Sequence, residues 1–102
     1  MKYKVCLIPS AQKDFKKLDG REKFLVAKQL KKLASKPFLG EELGKHAGID
    51  LTGYFKLYAD RKRLRIVYQC IGDEIDIEII AIGRREEFEV YRKAEKRKDE
   101  NK

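Results

Sequence analysis

Two rhythms of apolar and polar residues run along this chain. Tyr3 to Ile8 is β-prone and stops at Pro9, which predicts a strand. Beyond it, with Ser10 as N-cap, Ala11, Phe15 and Leu18 recur at helical spacing while Lys13, Asp14, Lys16 and Lys17 fall on the water side. Asp19-Gly20 breaks this helix. A second is expected from Arg21 to about Ser35, with Phe24, Ala27, Leu30, Leu33 and Ala34 on its apolar face and Pro37 as its stop. The pair makes an αα-hairpin.

Residues 38–51 carry Gly40, Gly44 and Gly48, with Gly53 just beyond, and keep no period, so they read as a loop. His46 lies in it with nothing near in sequence to orient its ring. The rhythm then changes to alternation. Tyr54 to Ala59, Leu64 to Ile71 and Glu74 to Ile82 read as three strands, joined by the charged turn Asp60-Arg61-Lys62-Arg63 and by a two-residue turn at Gly72-Asp73. From Arg84 onward the chain is highly charged and reads as helix through Val90 and Tyr91, with a frayed tail from about 97 to 102. This final helix is expected to be the most easily displaced element, because its core anchors number few beyond Phe88 and Val90. The fold class is therefore α+β: an N-terminal strand and αα-hairpin packed on an antiparallel β-meander, followed by a C-terminal helix.

Side-chain alternation assigns faces within the meander. A tight turn at Gly72-Asp73 sets Cys70 against Ile75, Tyr68 against Ile77, Ile66 against Ile79 and Leu64 against Ala81. Across the other turn, Ala59 meets Leu64, Leu57 meets Ile66 and Phe55 meets Tyr68. That face is apolar, and the two helices should cover it, with Cys70 as a small core residue. The opposite face carries Tyr54, Lys56, Tyr58, Arg65, Val67 and Gln69. Tyr58 lies opposite Arg65 and Lys56 diagonal to it. Because the third strand ends at Gly83-Arg84-Arg85, Lys56, Arg65 and Arg85 can converge on a cationic, aromatic-flanked surface. Glu74, Asp76 and Glu78 bound that face at its far end.

Composition narrows the function classes. The 102 residues make one domain, 1–102, with 25 Lys/Arg against 17 Asp/Glu, a net charge of +8. Residues 10–36 alone hold nine Lys/Arg and three Asp/Glu. Such a balance suits a polyanionic partner and equally a solvated basic surface. Cys6 and Cys70 make no disulfide framework, and one His without CxxC or HExxH motifs makes no metal site. The N-terminal apolar stretch is too short for a signal-peptide core, and no apolar run approaches the roughly 20 residues that span a bilayer. A cytoplasmic protein with no membrane partner and no cofactor is expected.

Arg65-Ile66-Val67-Tyr68-Gln69, Ile80-Ala81-Ile82-Gly83-Arg84-Arg85-Glu86 and Glu89-Val90-Tyr91 together resemble the RelE branch of the RelE/ParE superfamily, the toxins of type II toxin–antitoxin pairs. The resemblance spans nearly the whole chain and implies a microbial RNase-like fold and an endoribonuclease that cuts mRNA in the ribosomal A site. Carried over residue by residue, it makes Lys56, Arg65, Arg85 and Tyr91 catalytic. Arg61, Lys62, Arg63, Arg84 and Tyr58 then serve RNA or ribosome binding. One position departs from the pattern. A second lysine is expected two residues after the first, and this chain has Tyr58.

Cleavage of this kind needs a base for the 2′-hydroxyl, positive charge for the transition state and neutralisation of the leaving 5′-oxygen. Arg65 is suited to stabilise the phosphorane and Arg85 to neutralise the leaving oxygen. Lys56 is suited to act as base if Arg65 depresses its pKa by like-charge repulsion, with His46 a substitute only if its loop folds over the sheet. Tyr91 is suited to stack on or orient a base of the codon. The implied partners are the ribosome and mRNA, an acidic RelB-like antitoxin, and operator DNA reached only through the antitoxin complex. A ParE-like inhibitor of DNA gyrase, a catalytically weak RelE homologue and a simple RNA-binding module remain as other readings.

Overall fold

The structure, a computed structural model, describes residues 3–46, 48–72, 76–84 and 89–100. The expectations for Arg85, Phe88 and the two-residue turn at Asp73 fall on or beside residues outside that set. The described elements are β1 (Val5–Leu7), α1 (Pro9–Lys16), α2 (Gly20–Ser35), β2 (Glu41–Glu42), β3 (Lys45–His46), β4 (Ile49–Asp50), β5 (Phe55–Ala59), β6 (Leu64–Ile71), β7 (Asp76–Arg84) and α3 (Glu89–Glu100). They form the expected α+β arrangement, with a five-stranded sheet in the order β1-β7-β6-β5-β2. β1 runs parallel to β7, and the other pairs in this sheet are antiparallel.

α1 keeps the expected phase, with Ala11 and Leu18 buried and Phe15 packed against the core, while local chemistry moves its start and shifts the first half of α2. α1 starts at Pro9 rather than after a Ser10 cap, because proline's missing N–H and fixed φ suit the first helical position. Asp14, expected in water, is buried. In α2, Asp19 accepts from the Glu22 N–H at 2.8 Å, and the Asp19 N–H donates back to Glu22 at 3.1 Å. This capping box turns Glu22, Val26 and Leu33 inward and leaves Phe24 67% exposed and Ala27 exposed as well. Leu33 is buried as expected, and Leu30 and Ala34 are half-buried, so the expected face is missed only at Phe24 and Ala27 in the first half of the helix.

The β5–β6 ladder follows the expected register, from Phe55↔Tyr68 through Ala59↔Leu64, with Tyr58 opposite Arg65. The β6–β7 ladder does not. Cys70 meets Ile77 and Tyr68 meets Ile79, each two residues beyond the expected partner, and Ile71 pairs with Asp76. A β-bulge then intervenes: Tyr68 faces Ile79 but Val67 faces Ala81, leaving Ile80 as the extra residue. Beyond it Ile66 meets Ile82 and Leu64 meets Arg84, while Ala81 and Gly83 share a face with Val67 and Arg65. The turn before β6 is also strained. Asp60, Arg61 and Lys62 hold φ of 50°, 54° and 71°, and Arg21 grips Asp60 through two hydrogen bonds of 3.1 and 2.6 Å.

The core lies on both faces of the sheet. α1 and α2 pack on one side, over Leu64, Ile66, Tyr68, Ile77 and Ile79, all fully buried, while α3 packs on β7 and β6. α3 extends to Glu100, and within it Arg97 bonds Asp14 and the Ile80 carbonyl. Sheet edges left bare by the short outer strands are covered by side chains. On β7, the Ile82 N–H donates to Asp14 at 3.0 Å, and the Ile80 carbonyl accepts from Arg97 at 3.0 Å. On β5, Gln29 donates to the Tyr58 carbonyl at 2.6 Å. Every such contact satisfies a backbone group that would otherwise be a sticky edge.

Candidate functional site

The segment expected as a loop builds one wall of a cleft. β2 pairs with β5, β3 and β4 form a small hairpin, and Ile49 and Leu51 are buried. The Asp50 N–H donates to Glu95 of α3 at 2.6 Å, tying that hairpin to the helix. Gly40 is required here: an added Cβ would lie 2.4 Å from the Lys56 carbonyl oxygen and 2.8 Å from the Tyr68 hydroxyl. Its N–H also donates to that hydroxyl, at 2.9 Å. His46 sits in β3 with its backbone paired to Ile49.

The opposite wall comes from α3. Gly83 of β7 lies across from Arg65, and a Cβ on it would meet the Val90 Cβ at 3.0 Å. Glycine at this point lets α3 approach the sheet closely enough to bury Val90 and Tyr91. The resulting cleft of about 330 Å³ is lined by Leu43, Gly44, Ile49, Leu51, Lys56, Arg65 and Tyr91. Three of the four residues expected to be catalytic are thus brought together, and the fourth, Arg85, lies outside the described residues.

Within the cleft, the Arg65 guanidinium sits 5.0 Å from the Tyr91 ring centroid and 5.4 Å from that of Tyr58. Two aromatic faces therefore hold one cation, an arrangement that fixes its direction without neutralising its charge. The Arg65 Nε is buried and has no hydrogen-bond partner among the described residues. Lys56 donates to the Tyr58 hydroxyl at 3.1 Å and lies 3.6 Å from Glu41, whose side chain is 73% exposed at the rim. Lys62, on the strained turn, stands 5.6 Å from the Tyr58 centroid.

This geometry overturns one expectation. The hydrogen bond to Tyr58 raises the Lys56 pKa, against burial and with help from Tyr91 and Glu41. Lys56 is an ammonium ion at neutral pH and not a base with a depressed pKa. The Tyr58 hydroxyl moves the other way: its bond to Lys56 lowers its pKa, burial opposes this, and the charges of Lys56 and Arg65 add to the lowering. Burial pushes the Tyr91 phenol up, countered by Arg65 and Lys56.

Arg84 is drawn elsewhere. The bulge at Ile80 places it opposite Leu64, where it meets the buried Glu22 at 2.8 Å. Arg61 and Lys62 stay on the turn beside Tyr58 and Asp60, along a shallow groove facing α2. The cluster that sequence reasoning missed is Asp14 with Lys93 and Arg97. Asp14 accepts from Arg97 at 2.6 Å and from Lys93 at 3.3 Å, anchoring α3 to α1 and β7. Its only sequence signal was the spacing of Asp14, three residues after Ala11 and four before Leu18 on the apolar face, which its polarity overrode in favour of water.

Comparison with known proteins agrees with this architecture. The family model described as the ParE toxin of type II toxin–antitoxin systems matches residues 6–87. A putative RelE-like toxin protein of Escherichia coli is 35% identical over 97 residues, covering 95% of this chain and 98% of its own. Among solved structures, a doubly substituted E. coli RelE toxin in its free state superposes with a TM-score of 0.73 at 28% identity, covering 95% and 98% of the two chains. The RelBE toxin–antitoxin complex from Mycobacterium tuberculosis matches at TM-score 0.69 and 24% identity, covering 83% and 100%, which shows the shared fold. The chain belongs to the RelE/ParE superfamily of type II toxin–antitoxin toxins.

Proposed function

We propose that this protein is a ribosome-dependent endoribonuclease of the RelE kind, cutting mRNA by attack of a 2′-hydroxyl on the adjacent phosphate. The observation that carries this reading is the convergence of Lys56, Arg65 and Tyr91 on one cleft with a surplus of positive charge. In it, Arg65 stabilises the charge that develops on the phosphorane, a preorganised contact worth about 10²-fold or more in rate. Lys56, as an ammonium ion, neutralises a phosphate oxygen. Tyr91, only 7% exposed and packed on Arg65, positions that guanidinium more readily than it offers a free face to a base. Arg85 is the proposed counter-charge for the leaving oxygen. The ribosome would hold the mRNA in line, supplying positioning worth several kcal/mol.

An acidic antitoxin is the proposed inhibitor: structural neighbours are toxin–antitoxin complexes, and the +8 charge of this chain favours an acidic partner. The decisive assay is single-turnover cleavage on programmed ribosomes. Wild-type protein should release fragments ending in a 2′,3′-cyclic phosphate, and Arg65→Ala should cut at least about 10² more slowly while staying folded. The ParE name of the matching family favours one other reading, inhibition of DNA gyrase. Gyrase poisoning without RNA cleavage would select it.

A further inference from the structure

With Lys56 protonated, the described groups around the cleft that can take up a proton are the exposed Glu41 carboxylate at the rim and the oxygens of Tyr58 and Tyr91. We infer that Tyr58 is the general base of the cleavage proposed above, its phenolate oxygen taking the proton of the attacking 2′-hydroxyl while Lys56 remains an ammonium ion. This assignment rests on the ribonuclease reading and deepens it.

Placement supports the assignment first. Tyr58 and Arg65 are directly opposed in the β5–β6 ladder, so the phenol and the phosphorane-stabilising guanidinium project from the same face of adjacent strands. The hydroxyl is within hydrogen-bond distance of Lys56, which lines the cleft with Arg65. Its ring is half-buried, so it is held in place without being sealed from an incoming strand.

The charged surroundings act in the same direction. Lys56 on β5, Arg65 on β6 and Lys62 on the turn all lie within 5.6 Å of the Tyr58 ring centroid. Lys28 and Lys32 of α2 and Arg61 border the groove on its other side. Opposing them are the exposed Glu41 of β2, Asp60 of the turn, which lines the same groove and is paired with Arg21, and the buried phenol of Tyr91 on α3. Cations thus outnumber the carboxylates around an acid whose ionised form they favour. Each unit by which a tyrosine falls below its ordinary value near about 10 multiplies its phenolate fraction at neutral pH about tenfold.

The step balances within the RNA and solvent. The O2′–H bond breaks, its proton passes to the Tyr58 oxygen, and the released pair forms the O2′–P bond. The P–O5′ bond breaks, and O5′ takes a proton from solvent to leave as an alcohol. Tyr58 returns its proton to solvent, and the products are a 2′,3′-cyclic phosphate and a 5′-hydroxyl.

The test is the pH dependence of single-turnover cleavage on programmed ribosomes, for the wild type, Tyr58→Phe and Glu41→Gln. The wild-type rate should rise nearly tenfold per pH unit from 6 to 8. Tyr58→Phe, which keeps the ring over Arg65, should lose about 10²–10⁴-fold and flatten the profile. Glu41→Gln should keep the rising limb. Incorporation of 3-fluorotyrosine at position 58 should move that limb to lower pH, and its ¹⁹F resonance should titrate at higher pH in Lys56→Gln, a readout independent of activity. Full activity of Tyr58→Phe, or loss of the limb in Glu41→Gln alone, overturns the Tyr58 assignment and leaves the ribonuclease reading standing. A wild-type protein that cleaves nothing on the ribosome overturns that reading instead.

Discussion

The molecule holds two clusters of charged residues against the same sheet, one on β7 and one on β5 and β6, and they are built on opposite principles. Around Asp14 the hydrogen bonds are matched: the buried carboxylate accepts from Arg97, Lys93 and the Ile82 N–H, and Arg97 also donates to the Ile80 carbonyl. Around Arg65 they are not. Here too two cations, Lys56 and Arg65, face one carboxylate, but it is exposed at the rim, the buried Arg65 Nε has no partner among the described residues, and aromatic rings take the place of counter-ions. A cluster that saturates its donors around a buried acceptor holds elements together. One that leaves donors unspent is arranged to receive something from outside.

Breaking the matched cluster should cost the most. Asp14→Ala leaves the largely buried Arg97 and the buried Ile82 N–H without their acceptor, and denaturant unfolding should show a loss of about 3–5 kcal/mol. A loss below 1 kcal/mol would erase the distinction drawn between the clusters. Arg65→Ala should be the mirror image, with cleavage reduced about 10²-fold yet stability changed by about 1 kcal/mol or less, since its rings can close over the gap.

Acid sharpens the contrast further. Burial raises the Asp14 pKa, but hydrogen bonds from Arg97 and Ile82, with the charges of Lys93 and Arg97, outweigh it and hold the carboxyl below its ordinary value. The folded state therefore binds this proton less readily than the unfolded chain. Asp14 contributes its full stability above the unfolded value near about 4, and that contribution fades as pH falls below it. Midpoints of urea unfolding at pH 6 and pH 3 should differ more for wild type than for Asp14→Asn. The smallest effect is expected at Arg84. Its partner is Glu22 and its side chain is 61% exposed, so Arg84→Ala should lose about 1 kcal/mol and leave cleavage unchanged. A strong cleavage defect there would return Arg84 to the RNA-contacting set.

Nearest-neighbour chemistry was the legible part of this chain. The β5–β6 register and the Tyr58–Arg65 pairing were readable because a four-residue turn and strict alternation leave few choices. Lys56, Arg65 and Tyr91 were readable as a group by resemblance. Features fixed from a distance were hidden. The phase of α2 depends on a capping box that draws Glu22 inward, and the β6–β7 register on a bulge whose extra residue, Ile80, is as apolar as its neighbours. Of the short strands at 41–50, β2 pairs with the edge that β5 offers, while β3 and β4 pair with each other and are tied to α3 through Glu95. The protonation of Lys56 turned on a hydroxyl two residues away rather than on Arg65, a choice that needs side-chain positions to decide.

The turn at Asp60, Arg61 and Lys62 carries a cost that shapes how this protein can change. Three consecutive side-chain-bearing residues in the left-handed region forgo roughly 1–2 kcal/mol each relative to the right-handed one. Glycine at Arg61 or Lys62 would recover part of that, so the segment is a reservoir of unclaimed thermal tolerance. Drawing on it would strip cations from beside Tyr58, and of the two only Lys62 stands over its ring. A search for hardier variants should therefore accept glycine at Arg61 before Lys62, and the order of acceptance would itself report where selection for activity presses on the backbone.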